Sequence, residues 1–175
     1  MKKLPQIVSF GLRAFLHLSI FGLVIDVFFN IWVFLSHHFN WDGLTMKFYQ
    51  NIDFTKIWQE DPAAFNILTL CALLISMLEI KLFNSALKLL KKYNLSNPFD
   101  SDQTNHLRRI SMLALAVGLT SLILKLYIEI SVSNTIVLST QMGDISFLWL
   151  AAIIYIVSLM HEKGHHLQSV NDLTI

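Results

Sequence analysis

A chain of 175 residues that is 54% hydrophobic and only 14% charged departs from the balance of a soluble domain, in which about a quarter of residues are charged. Its formal net charge of +1 leaves no basic surplus for direct nucleic-acid binding. The single cysteine, Cys71, excludes an intramolecular disulfide framework.

The apolar residues come in long runs, and a membrane span needs about 20 of them. The first run covers residues 9–35. Its start, with Lys2 and Lys3 before an apolar core, resembles a signal peptide. The run is too long for one, carries Arg13 and Asp26, and lacks a small-x-small cleavage site, so it reads as a retained span. In the loop that follows, Trp41, Phe48, Tyr49, Phe54 and Trp58 suit an interfacial aromatic belt. A ligand-binding cap is the alternative. His37 and His38 read as loop residues.

The second run, 64–83, holds Cys71 and continues to about residue 93. There Leu87, Leu90 and Tyr93 keep a helical spacing among lysines, as in an amphipathic extension at anionic headgroups. Pro98 disfavours helix at Asn97 and ends the element. Asp100, with Gln103 three residues on, forms a capping box, so the third helix should begin about two turns before its apolar part, 110–130. On it Ala114, Gly118 and Ser121 make a stripe suited to close packing. The fourth run, 145–160, is the shortest and should continue helically beyond the membrane surface. Leu167, Val170, Leu173 and Ile175 allow a short amphipathic arm there, expected to dock against the Asn97–Asp100 turn.

Lys and Arg gather on the cytoplasmic side of short loops. Lys2, Lys3, Lys88, Lys91, Lys92, Arg108, Arg109 and Lys163 lie on one side, against Lys47 and Lys56 on the other. The expected fold is therefore an all-α, four-helix transmembrane bundle. It forms one integral membrane domain over residues 1–175, with the N-terminus and C-terminus cytoplasmic.

Ionisable residues inside spans are costly and usually face the bundle interior. Counting 1.5 Å per residue from the inner ends puts Asp26 and Lys125 both at roughly 25 Å. Glu129 follows Lys125 by one turn. Arg13 and Glu79 each fall about one turn inside the inner surface, while Lys81 can snorkel. The expected arrangement is an outer cluster Asp26–Lys125–Glu129 and an inner pair Arg13–Glu79. These either fix helix neighbours or build a ligand pocket or coupling site.

The tail carries a metalloprotease-like spacing. His161, Glu162 and His165 fit H-E-x-x-H, which on a helix puts two imidazoles on one face beside a carboxylate. A catalytic zinc also needs a third protein ligand, and only Asp172 or His106 offers itself. Gly164 weakens the helix by about 1 kcal/mol relative to Ala. The stretch lies at the exit of the last span, in water. His161, His165 and His166 are therefore read as interfacial polar residues, with His161 and His165 the weak metal candidates. No phosphate-binding loop, dinucleotide turn or nucleophile motif occurs, so neither enzyme activity nor a cofactor is expected.

Two stretches carry a resemblance. Asn97, Pro98 and Phe99 precede acidic and polar residues and then Leu107, Arg108 and Ile110. After the last span come Gly164, Leu167 and the terminal Asn171, Asp172, Leu173, Thr174 and Ile175. This pattern resembles a bacterial family of four-span membrane proteins, the domain of unknown function 2975. Its members are often encoded beside a small helix-turn-helix regulator. The resemblance implies a multi-pass protein of the bacterial cytoplasmic membrane with a cytoplasmic partner of that kind. Asn97, Pro98, Phe99, Asp172, Leu173 and Thr174 would form the partner surface. It assigns no catalytic residues. A non-enzymatic regulatory or signalling protein is thus the leading expectation. A small transport or ligand-binding module built on the intramembrane charges is the rival, and a metal-dependent hydrolase at the tail the third reading. Association between copies stays open.

Overall fold

The computed structural model describes residues 3–39, 48–49, 52–92, 101–131 and 146–172. Five helices account for nearly all of them. They are α1 (Lys3–His38), α2 (Phe54–Glu60), α3 (Pro62–Lys92), α4 (Ser101–Ser131) and α5 (Ser146–Asp172). Before α2 a two-residue antiparallel ladder pairs β1 (Phe48–Tyr49) with β2 (Ile52–Asp53), Phe48 opposite Asp53 and Tyr49 opposite Ile52.

The four long helices are each apolar and long enough to cross a membrane. This is an all-α, multi-pass membrane bundle. At 1.5 Å per residue, the 36 residues of α1 reach about 54 Å and the 27 of α5 about 40 Å. Both exceed the roughly 30 Å hydrocarbon core, so their ends project or the helices tilt.

Local chemistry sets the start of α3. Asp61 Oδ1 accepts the amide hydrogens of Ala63 and Ala64, both at 3.0 Å, which makes it the N-cap. Pro62 then stands at the first helical position, where its missing N–H costs nothing. α4 begins at Ser101 with Asp102 in its first turn, favourable against the helix dipole. Asp100, the expected cap, lies outside the described residues. α5 does not stop at the end of its apolar run but continues unbroken through Gly164 to Asp172.

The helices pack as a row. α1 lies on α3, α3 on α4 and α4 on α5, whereas among the described residues no broad interface joins α1 to α4 or α5. Side-chain contacts show that neighbours run antiparallel. Arg13 meets Leu90 and Asp26 meets Ser76 along α1–α3. Along α4–α5, Thr104 meets His161 and the hydroxyl of Ser111 donates to the carbonyl of Ala151 at 2.9 Å. The start of α1, the end of α3, the start of α4 and the end of α5 therefore share one end, called the basic end below. The other is the aromatic end.

Two apolar clusters hold the row together. One, toward the aromatic end, joins Val33, Ile57, Ala64, Phe65, Leu68, Leu124 and Ile128, with α2 tucked against α1 and α3. The other joins Leu82, Ile110, Ala114 and Ala151 nearer the basic end. The small-residue stripe of α4 is buried as Ala114, Gly118 and Ser121. At Gly118 a Cβ would come within 2.9 Å of the Leu148 backbone nitrogen, so the absence of a side chain is what lets α5 approach.

The last turn of α1 differs from expectation. His37 is not a loop residue but is buried in α1, its ring 4.9 Å from Phe65 and 6.1 Å from Trp58. His38 stacks on Phe34 at 4.3 Å and leans on Trp58. Trp58 is thus half-buried in a packed cluster and does not simply float in an interfacial belt. Trp41 and the side chains of Phe48, Tyr49 and Phe54 lie outside the described residues.

Candidate functional site

Polar chemistry concentrates at two places, one inside the membrane and one at the basic end. The first lies in the α1–α3 seam. Asp26 is half-buried, and its Oδ2 accepts from Ser76 Oγ at 2.9 Å. Ser76 has one hydroxyl proton and a second acceptor, the Ala72 carbonyl at 3.1 Å. The charged and nearer carboxylate is the stronger claimant. Asn30, one turn further along α1, donates through Nδ2 to the Asp26 carbonyl at 2.9 Å and to Asp26 Oδ2 at 3.4 Å. Asn30 is only 1% exposed, and its Oδ1 finds no donor.

The structure does not bring Asp26 to Lys125. Lys125 is on α4, and α3 stands between α4 and α1. Its neighbour Leu124 belongs to the same apolar cluster as Val33 and Leu68, which places Lys125 about two turns beyond Asp26 toward the aromatic end. Lys125 makes no ion pair among the described residues. The side chain of Glu129 lies outside them. Counting from the end of an apolar run misplaced these groups, because each helix extends beyond its run by a different length.

The inner pair is corrected in the same way. Arg13 Nη2 donates to the Leu90 carbonyl at 3.0 Å, not to Glu79. Leu90 is 11 residues, or about 16 Å, further along α3 than Glu79. The apolar run ends at Phe83, but the helix goes on to Lys92, and Arg13 is level with that extension. Its Nε is buried with no hydrogen-bond acceptor.

The second place is where α5 leaves the bundle beside the start of α4. His161 Nδ1 and Thr104 Oγ1 form a hydrogen bond at 2.9 Å. Arg108 Nη2 donates to Glu162 Oε2 at 2.7 Å. Thr104 is buried, while Arg108 and Glu162 are about half exposed, so the hydrogen bond lies beneath the ion pair. On α4 itself His106 faces Asp102 at 3.8 Å, one turn back.

This geometry gives two residues of the H-E-x-x-H stretch partners on α4. His161 is turned onto α4 through Thr104, and Glu162 is held by an arginine instead of standing free as a general base. His165 is exposed, one turn on. Among the described residues no three histidine, cysteine or acidic side chains are grouped as a metal would need. His161 and Glu162 of the motif fasten α5 to α4.

The same contact runs from one of the two stretches on which the family resemblance rests to a residue just outside the other. Arg108 belongs to the first, and Glu162 lies two residues before Gly164 in the second. Asn97, Pro98, Phe99, Leu173 and Thr174 lie outside the described residues, as does the side chain of Asp172. The expected docking of the tail on the Asn97–Asp100 turn falls there too. The chain matches no family profile, no curated protein and no solved structure.

Proposed function

We propose that this is a non-enzymatic multi-pass membrane protein that regulates or signals through a cytoplasmic protein partner bound at its basic end. The observation that carries this reading is the fastening of α4 to α5 at that end, where Arg108 of the first family-like stretch pairs with a residue two positions before the second. Arg108–Glu162 and Thr104–His161 tie α4 to α5 there and hold rigid a surface on which Asn105, Arg109, Lys163 and His165 are exposed. A paired, projecting helix end of mixed charge suits protein recognition, since electrostatic complementarity gives specificity and register. The lysine and arginine distribution supports a cytoplasmic placement of that end. The resemblance to the domain of unknown function 2975 supports a bacterial inner membrane and a small helix-turn-helix regulator as partner.

The test is a pull-down. The tagged full-length protein is crosslinked in its native cell, extracted in mild detergent, and its companions identified. A small helix-turn-helix protein that co-elutes, and is lost on substituting Phe99, Arg109 or Lys163, supports the reading. A preparation with no companion under crosslinking overturns it.

A second reading, a small transport or ligand-binding module, is favoured by one observation. The Asp26 carboxylate sits within a span with two polar neighbours and no compensating cation among the described residues. Such residues mark substrate or ion paths more often than chance would give.

A further inference from the structure

We propose that Asp26, Asn30 and Ser76 bind one small monovalent metal cation, of the size of sodium, in the seam between α1 and α3. The proposal rests on the second reading above and names its ligand.

The donor–acceptor balance of the cluster points there. Both side-chain donors go to the same carboxylate oxygen: Ser76 Oγ at 2.9 Å and Asn30 Nδ2 at 3.4 Å both approach Asp26 Oδ2. Asp26 Oδ1 takes none of the hydrogen bonds among the described residues. The remaining Asn30 hydrogen bond goes to the Asp26 backbone carbonyl. Asn30 Oδ1 is buried without a donor in a side chain that is 99% removed from the surface. Leaving such an acceptor unmet costs on the order of 1–3 kcal/mol. The cluster therefore has a surplus of oxygen acceptors, and its carboxylate, when ionised, has no cation paired with it among the described residues.

The groups that could balance that charge lie elsewhere. Arg13 is on the same helix, 13 residues nearer the basic end, and is spent on the Leu90 carbonyl. Lys125 is on α4, across α3. What the cluster lacks is a partner both positive and able to accept lone pairs from several oxygens. A metal cation does this, whereas a neutral hydrogen-bond donor would meet Asn30 but leave the charge.

Chemistry narrows the class. The ligand atoms are a carboxylate, an amide carbonyl and a hydroxyl, all hard oxygens, which select hard cations over the transition metals that prefer nitrogen and sulfur. One carboxylate balances one positive charge. A divalent ion would keep a net charge in hydrocarbon and would seek six or more oxygens, with further carboxylates. Asp26 is 12 residues, about 18 Å, from the aromatic end of α1, so an ion arriving there crosses only part of the span.

The experiment uses the full chain in detergent, prepared without sodium. Its Tm is followed while sodium chloride replaces N-methylglucamine chloride at constant ionic strength. A ligand that binds the folded state alone raises Tm with the logarithm of its concentration once that exceeds Kd. The expected result is a rise with the logarithm of sodium concentration that is absent in D26N and sets in at roughly three- to tenfold higher sodium in S76A, which loses one polar contact. Equilibrium binding of radioactive sodium to the unsubstituted protein, expected at one ion per chain, keeps the test valid if D26N does not fold. Equal melting in both cations with no bound sodium overturns the proposal. So does a sodium response that persists in D26N, or a Tm that moves with pH but not with sodium. The broader reading is tested apart, by the cellular response of D26N. An altered response without sodium binding overturns the cation alone, and an unaltered response overturns the ligand module as well.

Discussion

At Gly118 the space for a side chain is already occupied by α5. A Cβ there would stand 2.6 Å from Leu148 Cδ2 and 2.9 Å from the Leu148 nitrogen. The side chain can turn away, but the backbone cannot without lifting α5 from α4. G118A should therefore lower stability by about 1–3 kcal/mol, the usual cost of overpacking, despite the better helix propensity of alanine. Gly22, with nothing within 4 Å of its Cβ position, should accept alanine without loss. Thermal unfolding of the two variants in one detergent checks the contrast. Asp61 makes a second residue-scale case. Its carboxylate holds two amide hydrogens at the start of α3, and D61A should cost about 1 kcal/mol in the same assay. The sequence D-P-A-A shows that cap plainly, since aspartate before a proline at the first helical position is a start signal. His37 was not legible in the same way. A histidine pair beyond an apolar run looks like the edge of a loop. Only the docking of α2, which brings Trp58 and Phe65 around it, buries the ring.

At the scale of elements, register between helices decides which polar groups meet. The apolar runs gave the identity and order of the four long helices, because periodicity and length are local properties. They did not give the register. Helices α1 and α3 outrun their apolar stretches by unequal amounts, and that offset carries Arg13 to Leu90 and Asp26 to Ser76. Pairing by depth needs those overhangs, which depend on tertiary contacts. The same scale explains the fate of the H-E-x-x-H stretch. Its spacing is a helix property and legible in the sequence, but its use depends on the partner helix, which supplies Thr104 and Arg108. Two expectations follow for this junction. R108A should cost less than about 1 kcal/mol, since the pair is exposed and screened. T104V, which strands the His161 nitrogen against a buried position, should cost more, about 1–2 kcal/mol. Unfolding of both single variants and of R108A/E162A checks the ranking. An R108A loss larger than that of T104V would contradict it.

At the scale of the whole molecule, the row of helices makes a prediction about neighbours. Replacing Cys71 by serine gives a cysteine-free background. On it, S111C/A151C should form an intramolecular disulfide on mild oxidation, since Ser111 Oγ lies 2.9 Å from the Ala151 carbonyl. D26C/K125C should not, because α3 separates the two helices. Gel mobility with and without reductant reports both. A row also has consequences for how the protein is made. Each long helix leans on the long helix synthesised just before it, and among the described residues no broad interface joins α1 to α5 to close a ring. A nascent chain can therefore settle hairpin by hairpin as it leaves the insertion machinery, with α1 and α3 joined before α4 exists. The contacts that must form are close in sequence, which favours fast assembly. A chain interrupted after residue 131 would lose one face of α4 and nothing of the α1–α3 pair. Damage near the end of the message would then spare the seam that holds Asp26.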